Sequence, residues 1–209
     1  MCYNNEKGRK MFKRKCKITF ITHGATVHTM DGILSDAEKF PKINDIGEEE
    51  IEKVCEYLTS RGVQYDKIYT SSSARCTQSA QIVAKLFKKR ITTIDLPSRK
   101  LGDWNGQSVH DLYKEYGTRA IGMKPKGGEG LKEFNKRVGE TIEKLVEENR
   151  GNRIIVVTTP DVVQAAIALT LNLTPENQFK NLIKTGSLTQ ISYFVDDWSS
   201  IIYSDYIPL

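Results

Sequence analysis

Three short stretches carry residues whose types suit phosphate chemistry: THG at 22–24, YTSSSAR at 69–75 and VVTTPD at 156–161. His23 brings an imidazole, a side chain that attacks phosphorus readily. Arg75 brings a guanidinium, whose planar fork of donors matches phosphate oxygens. Thr159 brings a hydroxyl beside the start of a helical segment, where the dipole and free backbone N–H groups favour an anion. Each is weak evidence alone. A buried histidine is more often satisfied by backbone than reactive, and an arginine in a helix more often faces solvent. What joins the three is position: each stands just after a strand-like run, and open α/β sheets bind ligands at the carboxyl ends of their strands.

The elements that must position these residues alternate along the chain. ITFIT at 18–22 suits a strand covered on both faces, and Gly24 permits a sharp turn after His23. NDIGEEEIEKVCEYLTSRG carries cap candidates Asn44 and Asp45, a glutamate-rich first turn, and Ile51, Val54, Cys55 and Leu58 on one face, the pattern of an amphipathic helix. KIYTS at 67–71 reads as a strand, and Cys76, Ala80, Val83 and Phe87 then recur at helical spacing. TTIDL at 92–96 is strand-like and is followed by an irregular stretch with Gly102 and Gly106. Leu131, Phe134, Val138, Ile142 and Leu145 mark another helix, and RIIVV at 153–157 a central strand. DVVQAAIALTL is apolar nearly all round, as in a deeply packed helix, and LTQISYFV at 188–195 closes the series. This order predicts a three-layer α/β/α fold with a mainly parallel central sheet.

Composition bounds the function classes. At 209 residues, with 39% hydrophobic and 27% charged residues, the chain suits one globular domain. Residues 17–209 are expected to form it, after a basic, flexible tail at 1–16 whose excess charge is simply solvated. No apolar run reaches the roughly 18 residues of a membrane span, and no signal peptide is evident, so the expected location is cytoplasmic. Cys2, Cys16, Cys55 and Cys76 are too scattered for a disulfide framework or a zinc site. Nothing signals a metal or an organic cofactor. The expected partner is a small phosphorylated or other anionic ligand. A protein partner or a homodimer is compatible with the sequence, and nucleic acid is disfavoured.

Five blocks in order resemble the histidine phosphatase superfamily, in its phosphoglycerate mutase-like branch. ITFITHGAT is similar to the strand that runs into Arg-His-Gly-Glu-Thr. KINDIG at 42–47 is similar to Pro-Leu-Thr-Glu-x-Gly, and IYTSSSARCTQSA at 68–80 to Tyr-Ser-Ser-x-x-x-Arg-x-x-x-Thr-Ala. LGDWNG at 101–106 and KGGEGLKEFNKRV at 126–138 resemble two further blocks. The resemblance covers about residues 17–195 and implies a phosphoglycerate mutase-like fold. It also implies that His23 is the nucleophile that becomes phosphorylated, that Arg75 binds the transferring group, and that Glu129 shapes the substrate side of the pocket. Gly24 would serve the same site.

Departures from the family pattern bear on activity. Thr22 stands where the first arginine is expected, and Ala25 where glutamate follows His-Gly. Ser98 holds the place of the acid that protonates the leaving oxygen, and Thr159 that of the second histidine. Thr29 and Ile33 replace an asparagine and an arginine. His28 and His110 are the only histidines left to compensate, Asp103 and Asp161 are substitute acids, and Lys100 is a substitute cation. Two expectations follow. One is a divergent member with weak or no ordinary phosphomonoesterase activity and an anion-binding pocket at His23 and Arg75. The other is a phosphatase or phosphotransferase that uses His23 on an unusual substrate.

Overall fold

Alternation along the central strands assigns each side chain to one of two buried faces. The computed structural model describes residues 13–36 and 41–208. Its sheet is mixed, with six strands in the order β3-β2-β4-β1-β5-β6. These are β1 (Arg14–Thr22), β2 (Lys67–Ser71), β3 (Ile91–Ile94), β4 (Arg153–Thr158), β5 (Leu188–Phe194) and β6 (Ser199–Tyr206). β1 to β4 run parallel, whereas β5 pairs antiparallel with both β1 and β6.

The helices are α1 (Val27–Met30), α2 (Asp45–Ser60), α3 (Ala74–Phe87), α4 (Val109–Tyr116), α5 (Leu131–Glu148) and α6 (Pro160–Thr170), with 3-10 turns at Gly102–Trp104, Gly117–Gly122 and Pro175–Lys180. Ile18 and Phe20 of β1 and Ile154 and Val156 of β4 meet Phe134, Val138 and Ile142 of α5 and Val162, Val163 and Ala166 of α6. Ile21, Ile155 and Val157 point the other way, onto Ile51, Val54 and Leu58 of α2 and Cys76, Ala80 and Val83 of α3. A period of two in the strands thus feeds two helix layers, each presenting an apolar stripe at helical spacing.

Two details differ from the sequence reading. β1 begins at Arg14, three residues before the expected domain start, because Arg14 and Cys16 pair with Phe194 and Tyr193 across a bulge and Cys16 is fully buried. Residues 1–12 of the expected tail lie outside the described residues. A final strand, β6, follows the turn at Asp196 and Asp197; its burial alternates, as an edge strand's does, so no continuous apolar run announces it. No helix among the described residues is long and apolar enough to cross a membrane.

Candidate functional site

His23 follows the last residue of β1 and continues its pairing, its N–H donating to Thr158 O at 2.9 Å and its carbonyl accepting from Gly186 N at 3.1 Å. The chain then turns with backbone pressed on backbone. A Cβ at Gly24 would stand 2.1 Å from Gly47 O, and a Cβ at Gly47 2.3 Å from Ala25 O, so the first turn of α2 can sit this close only because both residues are glycine. Gly24 N donates to Ser79 Oγ at 3.1 Å, and Ser79 Oγ donates in turn to Arg75 O at 2.8 Å. One hydroxyl therefore couples the His23 turn to the helix that carries Arg75.

That turn sets the state of the imidazole. His23 Nδ1 lies 2.8 Å from Gly24 O, a carbonyl that can only accept, so the proton sits on Nδ1 and the Nε2 lone pair is left free. The ring is 2% exposed. Burial, and next the charge of Arg75, push its pKa down to about 3 against the opposing effect of the Gly24 bond. His23 is accordingly neutral at physiological pH, the form in which a nucleophile keeps its lone pair.

A cavity of about 510 Å³ opens over the carboxyl ends of β1, β2 and β4, and His23, Arg75 and Thr159 all line it. Arg75 is buried, with Nη2 donating to Ser35 O at 3.1 Å and Nη1 to Asp36 O at 3.4 Å. Ser98 lies on the wall with a buried Oγ that has no hydrogen-bond partner among the described residues, and the same holds for His28 and its Nδ1. Thr29 is on the wall too, but its hydroxyl accepts from Thr26 N at 2.8 Å and so completes the cap of α1. Ile33 makes an apolar patch beside it.

Three of the expected residues stand behind the wall. Thr22 Oγ1 donates to Lys184 O at 2.7 Å and accepts from Ser187 N at 2.8 Å, which fastens the end of β1 to the segment before β5. Gly24 is spent on the contact with Gly47. Glu129 accepts from Arg137 Nε and Nη2 at 2.7 and 2.8 Å, and Arg137 also donates to Pro97 O and Ser98 O, each at 2.8 Å. Glu129 thus shapes the pocket at one remove, by holding the arginine that holds the Ser98 segment. Two glycines bring that segment against the loop at 126–128: a Cβ at Gly102 would meet Lys126 O at 2.2 Å.

Of the substitutes, Asp103, His110 and Lys100 are exposed and do not line the cavity. Asp161 does line it, and its oxygens are engaged as acceptors by the Thr159 hydroxyl, Val162 N and Arg99 N. The buried cation that sequence reasoning missed is Arg99, next to the residue considered. Its Nε donates to Glu129 O at 2.8 Å and its Nη2 to Met123 O, and burial lowers its pKa while Asp161 and Glu129 raise it. Also missed were Gln164 and an apolar wall from α4 and the two later 3-10 turns, made by Val109, Leu112, Tyr113, Ile121 and Phe179. Spacing of apolar residues at 109, 112, 113 and 116 was the available signal for α4. Among the described residues no group of three or more His, Cys, Asp or Glu could hold a metal ion.

Known proteins resemble this chain over nearly its whole length. It is 27% identical to a broad-specificity phosphatase of Saccharomyces cerevisiae over 192 residues, covering 89% of this chain and 83% of that protein. The fold superimposes on the alpha-ribazole phosphatase from Shigella flexneri with a TM-score of 0.78 and 22% identity, covering 91% and 96% of the two chains. It also superimposes on a phosphoserine phosphatase from Entamoeba histolytica solved with 3-phosphoglyceric acid, with a TM-score of 0.79, 18% identity and coverage of 91% and 97%. The model of branch 1 of the histidine phosphatase superfamily matches residues 18–205, and the chain belongs to that family.

Proposed function

We propose that this protein binds a small anion-bearing ligand between His23 and Arg75 and has weak or no ordinary phosphomonoesterase activity. The observation that carries the reading is the state of the leaving-group side. Ser98, at the position expected for the acid, offers a hydroxyl that is no proton donor of use near neutral pH, and Asp161, the wall carboxylate among the described residues, has its oxygens engaged by three donors. Loss of a general acid costs about 10²- to 10⁴-fold. Each missing donor to the transferring group costs about 10²- to 10³-fold more, although such losses are not additive within one constellation. Binding suffers less, since a lost charge-assisted contact weakens it by about 1.5–3 kcal/mol.

A second reading has one observation in its favour, the free Nε2 of a neutral His23. With a leaving group that departs without a proton, such as the carboxylate of an acyl phosphate, Nε2 could form the N–P bond as the P–O bond breaks. The separating experiment is steady-state turnover of phenyl phosphate, an alkyl phosphate and acetyl phosphate, with His23→Ala as control. The expected result is turnover on the alkyl and aryl esters several orders of magnitude below the typical enzyme value of about 10 s⁻¹. His23-dependent turnover near that value on either ester overturns the proposal. Turnover on acetyl phosphate alone favours the second reading.

A further inference from the structure

The cavity is larger than a phosphate group requires and its two ends differ in chemistry. At one end stand His23, Arg75, Ser98 and Thr159; at the other, Leu101, Trp104, Leu112, Tyr113, Ile121 and Phe179 form an apolar wall. Val109, Tyr113 and Ile121 are 51%, 60% and 42% exposed, so apolar surface continues from the interior to the rim. Such a rim on a soluble protein marks a surface that meets an apolar group. On the wall, the buried Oγ of Ser98 and Nδ1 of His28 have no hydrogen-bond partner among the described residues, and both residues line the cavity. Buried polar atoms are ordinarily hydrogen-bonded, so this pair is fitted to a ligand's polar head.

Charge narrows the head. Apart from the two imidazoles, the ionisable groups on the wall among the described residues, tyrosine aside, are Arg75, Arg99 and Asp161, a net single positive charge. A dianion would bring one more negative charge into a buried site than the wall neutralises, and an uncompensated buried charge is costly. We infer that the pocket takes an amphipathic monoanion, with a singly charged head at Arg75 and Ser98 and an aliphatic or aromatic body along the wall from Leu101 to Phe179. This rests on the anion-binding reading above and names the ligand class for it.

Isothermal titration of the full chain at pH 7.5 with butanoate, hexanoate and octanoate tests the body, and octan-1-ol and octyl phosphate test the head. Affinity is expected to rise about fourfold for each added methylene, the increment of burying it. Octanoate should bind at least tenfold more tightly than octan-1-ol and than octyl phosphate, which is largely a dianion at this pH. Tyr113→Ser combined with Ile121→Ser, both at exposed positions, should flatten the dependence on chain length. Inorganic phosphate, with Arg75→Ala, provides the separate check on anion binding. If phosphate stabilises the protein in an Arg75-dependent way but chain length has no effect, the amphipathic ligand is refuted and the anion site stands. Equal binding of octan-1-ol and octanoate refutes the charged head, and tighter binding of octyl phosphate refutes the single charge. If no anion binds in an Arg75-dependent way, both this inference and the reading beneath it fall.

Discussion

His23 should make stability fall in acid by an amount that can be worked out. The folded ring has its pKa pushed from 6.5 down to about 3 by burial and by Arg75. Because the folded pKa is the lower one, the unfolded chain binds the proton first, so the contribution is fully present above 6.5 and is lost as the pH falls toward 3. The slope is about 1.4 kcal/mol per pH unit in that window, or roughly 2.7 kcal/mol at pH 4.5. His23→Asn removes the titration while keeping an amide N–H that can reach Gly24 O. Urea unfolding of both proteins at pH 7.0, 5.5 and 4.5 in phosphate-free buffer isolates the effect, since every other titrating group is common to the two. With an m-value of roughly 3 kcal/mol/M, the native protein should lose about 1 M more of its midpoint than the variant between the outer pH values. Parallel decline of the two midpoints would show that the folded ring titrates normally, and that the neutral, lone-pair-bearing His23 derived from the Gly24 bond is wrong.

Two further outcomes test the frame around the site. Gly24→Ala puts a Cβ 2.1 Å from Gly47 O, a clash with backbone that no rotamer relieves; the expected loss is about 3 kcal/mol, seen as a fall of about 6–12 °C in Tm, and a change under 2 °C would mean that the two turns separate freely. Glu129→Gln should cost about 1–3 kcal/mol in chemical denaturation by breaking the pair with Arg137, and the same loss should shrink when Arg137→Gln is already present; additive losses would deny that Glu129 acts through Arg137.

The parts legible in the sequence were those fixed by local pattern. β1, β2 and β4 announce themselves as strand-like runs ending in a turn, and their parallel order brings His23, Arg75 and Thr159 to one cavity. Thr22 was harder to read because a threonine suits either face of a strand; only the course of the chain at 184–187, far away in sequence, decides that its hydroxyl faces away from the cavity. Lys100 and Arg99 differ by one position in an extended segment, where neighbouring side chains take opposite directions, so the choice between them turns on the register that Asp161 imposes through Arg99 N. The apolar wall comes from α4, whose spacing at 109, 112, 113 and 116 is legible, and from the 3-10 turns at 117–122 and 175–180, which are too brief to show a period; their meeting is a product of tertiary packing.

The bonds that hold His23 in place lead to Thr158 O, Gly186 N and Gly24 O, all main-chain atoms. Main-chain atoms are the same whatever residue stands there, so no side-chain hydrogen bond from Ser98 or Thr159 is needed to set the imidazole's posture. The posture is instead exposed to mutation at Gly24 and Gly47, where the required feature is the absence of atoms and no second-site change of side chain can restore it. The side chains around the ring can therefore be exchanged one at a time on a frame that keeps the imidazole aimed into the cavity.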